Sequence, residues 1–306
     1  MLIVAEALLP VFFLIGLGFG LKRVGFPGEA FWPALDKLAY FILLPALLVA
    51  TLAGAQLGGY DPLPLAATLA CATLAMAAIM LALRPVLPAD GPAFTSMFQG
   101  ALRFNSYVGI AAAFLLFGSP GAALMAVAVA VQVPLLNTLS VLILIRYAGG
   151  PATSFGAQLR LLAQNPFILA CLLGIAMNLT GIGLPRGIGP TIEALGRASV
   201  ALGLMAAGAA LDLQATRAAW APIGIAAGLK LVGFPLVMAG SAWIWGIEGL
   251  ALKVAILWAA MPTPPSAYVL ARLMGGNAPL AAALVTASTL GAVLTVAPML
   301  VLLGGP

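Results

Sequence analysis

Arg103-Phe104-Asn105-Ser106-Tyr107-Val108-Gly109 and, half a chain later, Pro262-Thr263-Pro264-Pro265-Ser266-Ala267-Tyr268-Val269-Leu270 set polar and helix-breaking residues inside long apolar runs. The chain around them is 63% apolar and 7% charged, with a mean hydropathy of +1.17. That leaves too few polar residues to clothe a water-soluble globule, so the chain reads as an all-α integral membrane protein. Its glycines and prolines lie within the apolar runs, where neighbouring helices re-satisfy the backbone groups they free. Discontinuous helices, one in each half, are the pattern of a transporter whose substrate site lies near the bilayer midplane.

What is missing narrows the function. The sequence has no histidine, which removes serine-histidine triads and histidine-ligated zinc or haem together. An enzyme is not expected, nor a metal or cofactor. Cys71 and Cys171 sit in apolar stretches and read as buried small hydrophobes. The apolar run after Met1 carries Glu6 instead of a basic cluster, so it reads as a retained helix and not as a signal peptide.

Run length, charge clusters and Pro/Gly turns divide the chain into ten spans, at about 2-22, 33-56, 62-84, 92-117, 121-146, 160-180, 189-212, 217-244, 249-274 and 277-302. Residues 153-164 read equally as an amphipathic lead-in to the sixth. Loops after odd-numbered spans hold Lys22, Arg23, Lys37, Arg84, Arg146, Arg160, Arg217 and Arg272, against Arg186, Arg197 and Lys253 on the other side. Basic residues favour the cytoplasm. The expected location is the cell inner (plasma) membrane with both termini exterior or periplasmic. The net charge of +5 reflects this topology and makes no case for nucleic acid.

The halves, 1-150 and 151-306, share an order of landmarks. Pro10, Gly18 and Gly25-Phe26-Pro27 are echoed by Pro166, Gly174 and Gly183-Leu184-Pro185. Ala53-Gly54-Ala55-Gln56-Leu57 is echoed by Ala207-Gly208-Ala209-Ala210-Leu211, and Gly118-Ser119-Pro120-Gly121 by Gly275-Gly276-Asn277-Ala278-Pro279. With five spans per copy the second enters the membrane from the opposite side, which makes an inverted repeat.

Gly100-Ala101-Leu102-Arg103-Phe104-Asn105-Ser106-Tyr107-Val108-Gly109, Gln164-Asn165-Pro166 and Met261-Pro262-Thr263-Pro264-Pro265-Ser266-Ala267-Tyr268-Val269-Leu270-Ala271 resemble bacterial members of the auxin efflux carrier family, relatives of the plant auxin carriers. The resemblance covers essentially the whole chain. It implies a ten-helix fold like that of bile-acid sodium symporters, with broken helices four and nine crossing near the bilayer centre. It further implies a scaffold of helices 1, 2, 6 and 7, a transport domain of helices 3-5 and 8-10, and a homodimer formed through the scaffold. The family's substrates are organic anions, among them auxin, malonate and malate. Plant members often carry a proline near the fourth-helix break; this chain has none there, which predicts a gentler kink than the one that Pro262, Pro264 and Pro265 impose.

The residues at the breaks suit an anion. A new helix amino terminus presents unpaired N–H groups and a partial positive charge. Asn105 and Ser266 are expected to cap the two second half-helices and to contact substrate carboxylate oxygens, with Gly109 marking the first interruption. Arg103, deep in its span, either clamps a carboxylate or bonds the carbonyls that end the first half-helix. Lys230 reads as an internal cation, standing in for a bound sodium or titrating during transport. Gln132 is the preferred ligand in helix five, with Asn137 beside it; the two do not share a face of a regular helix. Tyr107 and Tyr268 hold equivalent repeat positions and line the cavity or pack. Every acidic residue, Asp36 included, falls near a predicted span end or in a loop, which disfavours sodium/proton exchange.

These readings converge on a secondary transporter of a small organic anion, working as an exporter. A sodium- or proton-coupled symporter is the alternative within transport. A non-transporting membrane receptor or sensor, and a channel, are the alternatives of other classes.

Overall fold

The computed structural model describes residues 2–54, 62–149, 166–214 and 220–305, together with 156, 163 and 164. The Ala55-Gln56-Leu57 end of one repeat landmark, Asn165, and the Arg160 and Arg217 of the charge count lie outside the described residues. All regular structure among the described residues is helical: α1 (Leu2–Arg23), α2 (Phe31–Ala53), α3 (Pro62–Leu83), α4 (Gly91–Leu102), α5 (Ser106–Ala148), α6 (Pro166–Leu179), α7 (Gly189–Ala209), α8 (Trp220–Trp245), α9 (Gly249–Ala260), α10 (Ser266–Leu273) and α11 (Ala278–Leu303). Six stretches among them are long and apolar enough to cross a membrane: α2, α3, the run Gly91–Ala148, α7, α8 and α11. α6 and α9 are shorter apolar helices.

Most helices begin where the sequence supplies a start. Asp90 caps α4, its carboxylate accepting from Ala93 N–H at 2.8 Å, and Asn277 caps α11 by accepting from Leu280 N–H at 3.0 Å. Proline occupies the first turn of α4, α7 and α11, where a missing N–H costs nothing. Inside α2 and α8 the helix widens into single π turns, Ala39–Leu43 and Leu229–Gly233, just ahead of Pro45 and Pro235. A proline within a helix cannot donate to the preceding turn and crowds its carbonyl; the wider turn relieves both.

α4 and α5 are separated by Arg103-Phe104-Asn105, with Arg103 (φ −71°, ψ 153°) and Asn105 (φ −86°, ψ 104°) extended. α9 and α10 are separated by residues 261–265, starting from extended Met261 (ψ 142°). The first interruption is therefore a complete break and not the gentler kink expected without proline. Contacts from across the fold supply what proline would have done: Asn105 N–H donates to Pro262 O at 2.8 Å, so each break satisfies the other. The Thr263 hydroxyl donates to Gly100 O at 2.8 Å, and the Thr263 N–H donates to Ser288 Oγ at 3.0 Å. Gly109 lies inside α5, past the break.

The Gly118-Ser119-Pro120-Gly121 turn is narrower than expected. α5 runs on either side of Gly118 alone, whose φ of 64° and ψ of −158° only glycine adopts readily. Cys171 is buried, but Cys71 is exposed on α3, contrary to its expected burial. Close helix packing pairs α1 with α7, and α2 with both α6 and α7. At the first crossing Gly18 lies on the Met205 backbone and Gly208 on that of Ile15, the small-residue contact that lets membrane helices approach without side chains between them.

Candidate functional site

Where the breaks meet, a cavity of about 110 Å³ is lined by Asp36 and Tyr40 of α2, Arg103, Asn105, Ser106, Tyr107 and Asn137 of the α4–α5 run, Phe167 of α6, and Pro264, Pro265 and Ser266. Proximity follows from the bond between Asn105 and Pro262, which brings the start of α5 beside the start of α10.

Asn105 caps α5, its Oδ1 accepting from Tyr107 N–H at 3.1 Å and Val108 N–H at 3.4 Å, while Gly109 N–H bonds Asn105 O. Ser266 does not cap. Pro265 holds the capping position, Ser266 is the first helical residue, and Ala267 and Tyr268 donate to Pro264 O and Pro265 O. Much of the donor capacity at both helix starts is thus engaged within the fold, so a ligand charge depends on a side chain.

Arg103 is the cationic side chain that lines the cavity. Its Nη2 donates to Ser266 Oγ at 3.2 Å, whereas Nη1 is buried without a hydrogen-bond partner among the described residues. Its observed partner is Ser266 and not the carbonyls that end α4. The Tyr107 hydroxyl is likewise buried and unpaired. Two orphaned donors at one cavity form an incomplete hydrogen-bond set, costly to leave empty in a low-dielectric surrounding. Such a donor set has the chemistry of a carboxylate site, because the two oxygens of a carboxylate can accept from a guanidinium and a phenol together.

Other expected site residues lie elsewhere. Gln132 is buried with its Oε1 accepting from Thr73 Oγ1 at 2.9 Å, which ties α5 to α3; it does not line the cavity, and Asn137 does. Tyr268, the repeat counterpart of Tyr107, is absent from the lining and 36% exposed. Asp36 lies near the start of α2, as its span-end position implied, and it lines the cavity. A single-sequence signal existed: it is the lone acid in the helical run 31–53.

Lys230 stands apart from the cavity. It is fully buried in the π turn of α8, its Nζ 4.7 Å from the Phe234 ring centroid and 5.4 Å from that of Trp258, with no hydrogen-bond partner. Ring faces offset only part of an ammonium's lost hydration. Lys230→Met is therefore expected to raise the thermal midpoint of the purified protein by a few degrees and to change ligand affinity by less than about twofold. A thermal melt with and without ligand checks both; loss of binding in a well-folded variant would assign Lys230 to the transport cycle.

A second cavity, about 680 Å³, lies along the same α2–α5 seam, lined by Leu47, Thr51 and Gly54 of α2, by Ile110, Phe114 and Pro120 of α5, and by Arg197 and Val200 of α7. The Tyr107 ring, which lines the first cavity, rests against Gly203 of α7, where an added Cβ would lie 2.5 Å from Cδ1.

Residues 152–300 match the family model described as "Membrane transport protein". The second half of the chain is therefore similar to a family of membrane transporters. An "Uncharacterized transporter" of Methanothermobacter thermautotrophicus is 29% identical over 270 residues, covering 87% of each chain. A "Putative malonate transporter" of Rhizobium meliloti is 27% identical over 303 residues, covering 96% of this chain and 94% of the relative. The relatives are named as transporters and not as enzymes, in line with the reading from composition and from the auxin efflux carrier motifs.

Proposed function

We propose that this transporter moves a small organic anion by alternating access, binding a carboxylate between the Arg103 guanidinium and the Tyr107 hydroxyl. The observation that carries the reading is the pair of buried, unpartnered donors at the meeting point of two broken helices. Two cavities along the α2–α5 seam support access from alternate sides. In the proposed architecture ten spans form two inverted five-helix repeats, with the broken helices crossing at the site. The reciprocal packing of α1 on α7 and of α6 on α2 is what such a repeat would produce. The scaffold is then α1, α2, α6 and α7; it carries the homodimer contact, with both termini outside the inner membrane. An inside-negative potential contributes roughly 2.3 kcal/mol per 100 mV for each net negative charge leaving, which favours export of a substrate that crosses with net negative charge.

Malonate, the solute in the name of the Rhizobium relative, is the first probe. Proteoliposomes preloaded with malonate are expected to show saturable counterflow of labelled malonate. Asn105→Ala, which removes the α5 cap at a stability cost of about 1 kcal/mol, is expected to abolish that flux in a protein that still elutes as one folded species. Non-saturating flux without counterflow would mean a channel, and binding without flux a receptor.

A further inference from the structure

We propose that Asp36 makes the anion site proton-dependent: a carboxylate occupies Arg103 only when Asp36 carries a proton, so that anion and proton move together. This deepens the anion-transport reading and rests on it.

The argument begins with the charges that line the cavity. Arg103 and Asp36 are its one cation and its one acid, so the lining sums to zero before any ligand enters. Asp36 makes no ion pair within 4.0 Å among the described residues, and Arg103 spends one nitrogen on Ser266 and leaves the other unpaired. The acid and the guanidinium thus share one small cavity without being joined to each other. An entering carboxylate meets an attractive cation and a repulsive anion in a volume of about 110 Å³, where two like charges suppress each other's ionised state. Protonating Asp36 removes the repulsion and turns an acceptor into an O–H donor for the ligand. The step balances simply: one carboxylate anion enters, one proton is taken up at the Asp36 carboxylate, and both are released together on the other side.

The neighbours do not supply a competing explanation. Within the cavity the other titratable groups are Tyr40, one turn further along α2, and Tyr107 of α5. α7, which packs on the start of α2 through Ala206 and Ala209, bears its charged residues Glu193 and Arg197 toward its other end, paired with each other at 3.9 Å; at its near end Lys22 of α1 donates to Ala209 O, beside Arg23 and Asp212, and none of these three lines the cavity. Lys37 follows Asp36 on α2 without lining the cavity.

The sign of the pH effect is fixed by this arrangement. Binding should tighten as pH falls through the titration of Asp36 and weaken as pH rises above it. The test measures the affinity of the detergent-purified transporter for malonate, succinate and lactate between pH 5.5 and 8, in the native protein, Asp36→Asn and Asp36→Glu. Lactate is fully ionised throughout, so its profile contains no ligand titration. The native protein is expected to lose on the order of 10-fold in lactate affinity across that range, Asp36→Asn to bind at pH 8 about as tightly as the native protein does at low pH, and Asp36→Glu to restore the pH dependence. In proteoliposomes a proton gradient should drive accumulation of the bound acid by the native protein and not by Asp36→Asn. Identical pH profiles for the native protein and Asp36→Asn would overturn the proposal while leaving the anion site standing. Failure of all three acids to bind the native protein at any pH would overturn the anion site, and the proton role with it.

Discussion

Arg103→Gln is expected to abolish anion binding and to make the empty protein more stable. The buried Nη1 has no partner in the ligand-free fold, and Nη2 has only the Ser266 hydroxyl. Removing a half-satisfied buried cation relieves a desolvation cost, so the thermal midpoint should rise or hold. The break itself should persist, because the bonds that shape it run from Asn105 N–H to Pro262 O and from Thr263 to Gly100 O, none of them through the guanidinium. Affinity moves the other way. Hydrogen bonds to charged groups contribute about 1.5–3 kcal/mol each, so losing the fork should weaken carboxylate binding by at least about 100-fold. Arg103→Lys keeps the charge without the planar geometry and should fall between. Calorimetric titration with malonate, beside a melt of the ligand-free protein, reads both signs. A fall in stability with affinity unchanged would make Arg103 a strut of the break.

Gly208→Ala is expected to be among the most destabilising single-methyl changes in the protein. Its new Cβ would fall onto the Ile15 backbone, where no rotamer change can make room, and α1 and α7 would have to move apart. Overpacking of this kind costs about 1–3 kcal/mol, which in a chain of this size lowers the thermal midpoint by several degrees. Gly18→Ala, against the Met205 backbone, should behave alike. Gly224→Ala provides the contrast: nothing lies within 4 Å of its Cβ, so the better helix propensity of alanine should make it neutral or slightly stabilising. Melts of the three variants in one detergent decide the matter, and equal midpoints for Gly208→Ala and Gly224→Ala would refute the close crossing.

The break at residues 261–265 and the helix boundaries were legible because polar and proline residues stand out in a 63% apolar chain, whereas the break at Arg103–Asn105 was expected mainly from its counterpart and the family resemblance. Pro262, Pro264 and Pro265 announce their break by chemistry local to the chain. The break at Arg103–Asn105 is completed by Pro262 O, a partner no local reading can supply. The same limit explains the misplaced residues. Gln132 and Asn137 were correctly separated by helical angle, but which of the two faced the cavity depended on Thr73 waiting in α3 to receive Gln132. Asp36 sits near the start of its span, as its sequence position implied, but sequence position does not show which way a helix faces, and here Asp36 lines the cavity with Arg103. Ser266 resembled Asn105 in type and in repeat position, yet Pro265 occupies the capping place, which leaves the Ser266 hydroxyl to receive Arg103.

The Tyr107 ring on Gly203 bears on how such a protein could move cheaply. Opposed side chains along a sliding seam act like gear teeth, and each must be unlocked before the next can engage. Here the Tyr107 ring meets Gly203, which has no side chain to oppose it. Travel of α5 along α7 meets no ledge at that point, so the ring can shift position without first being unlocked.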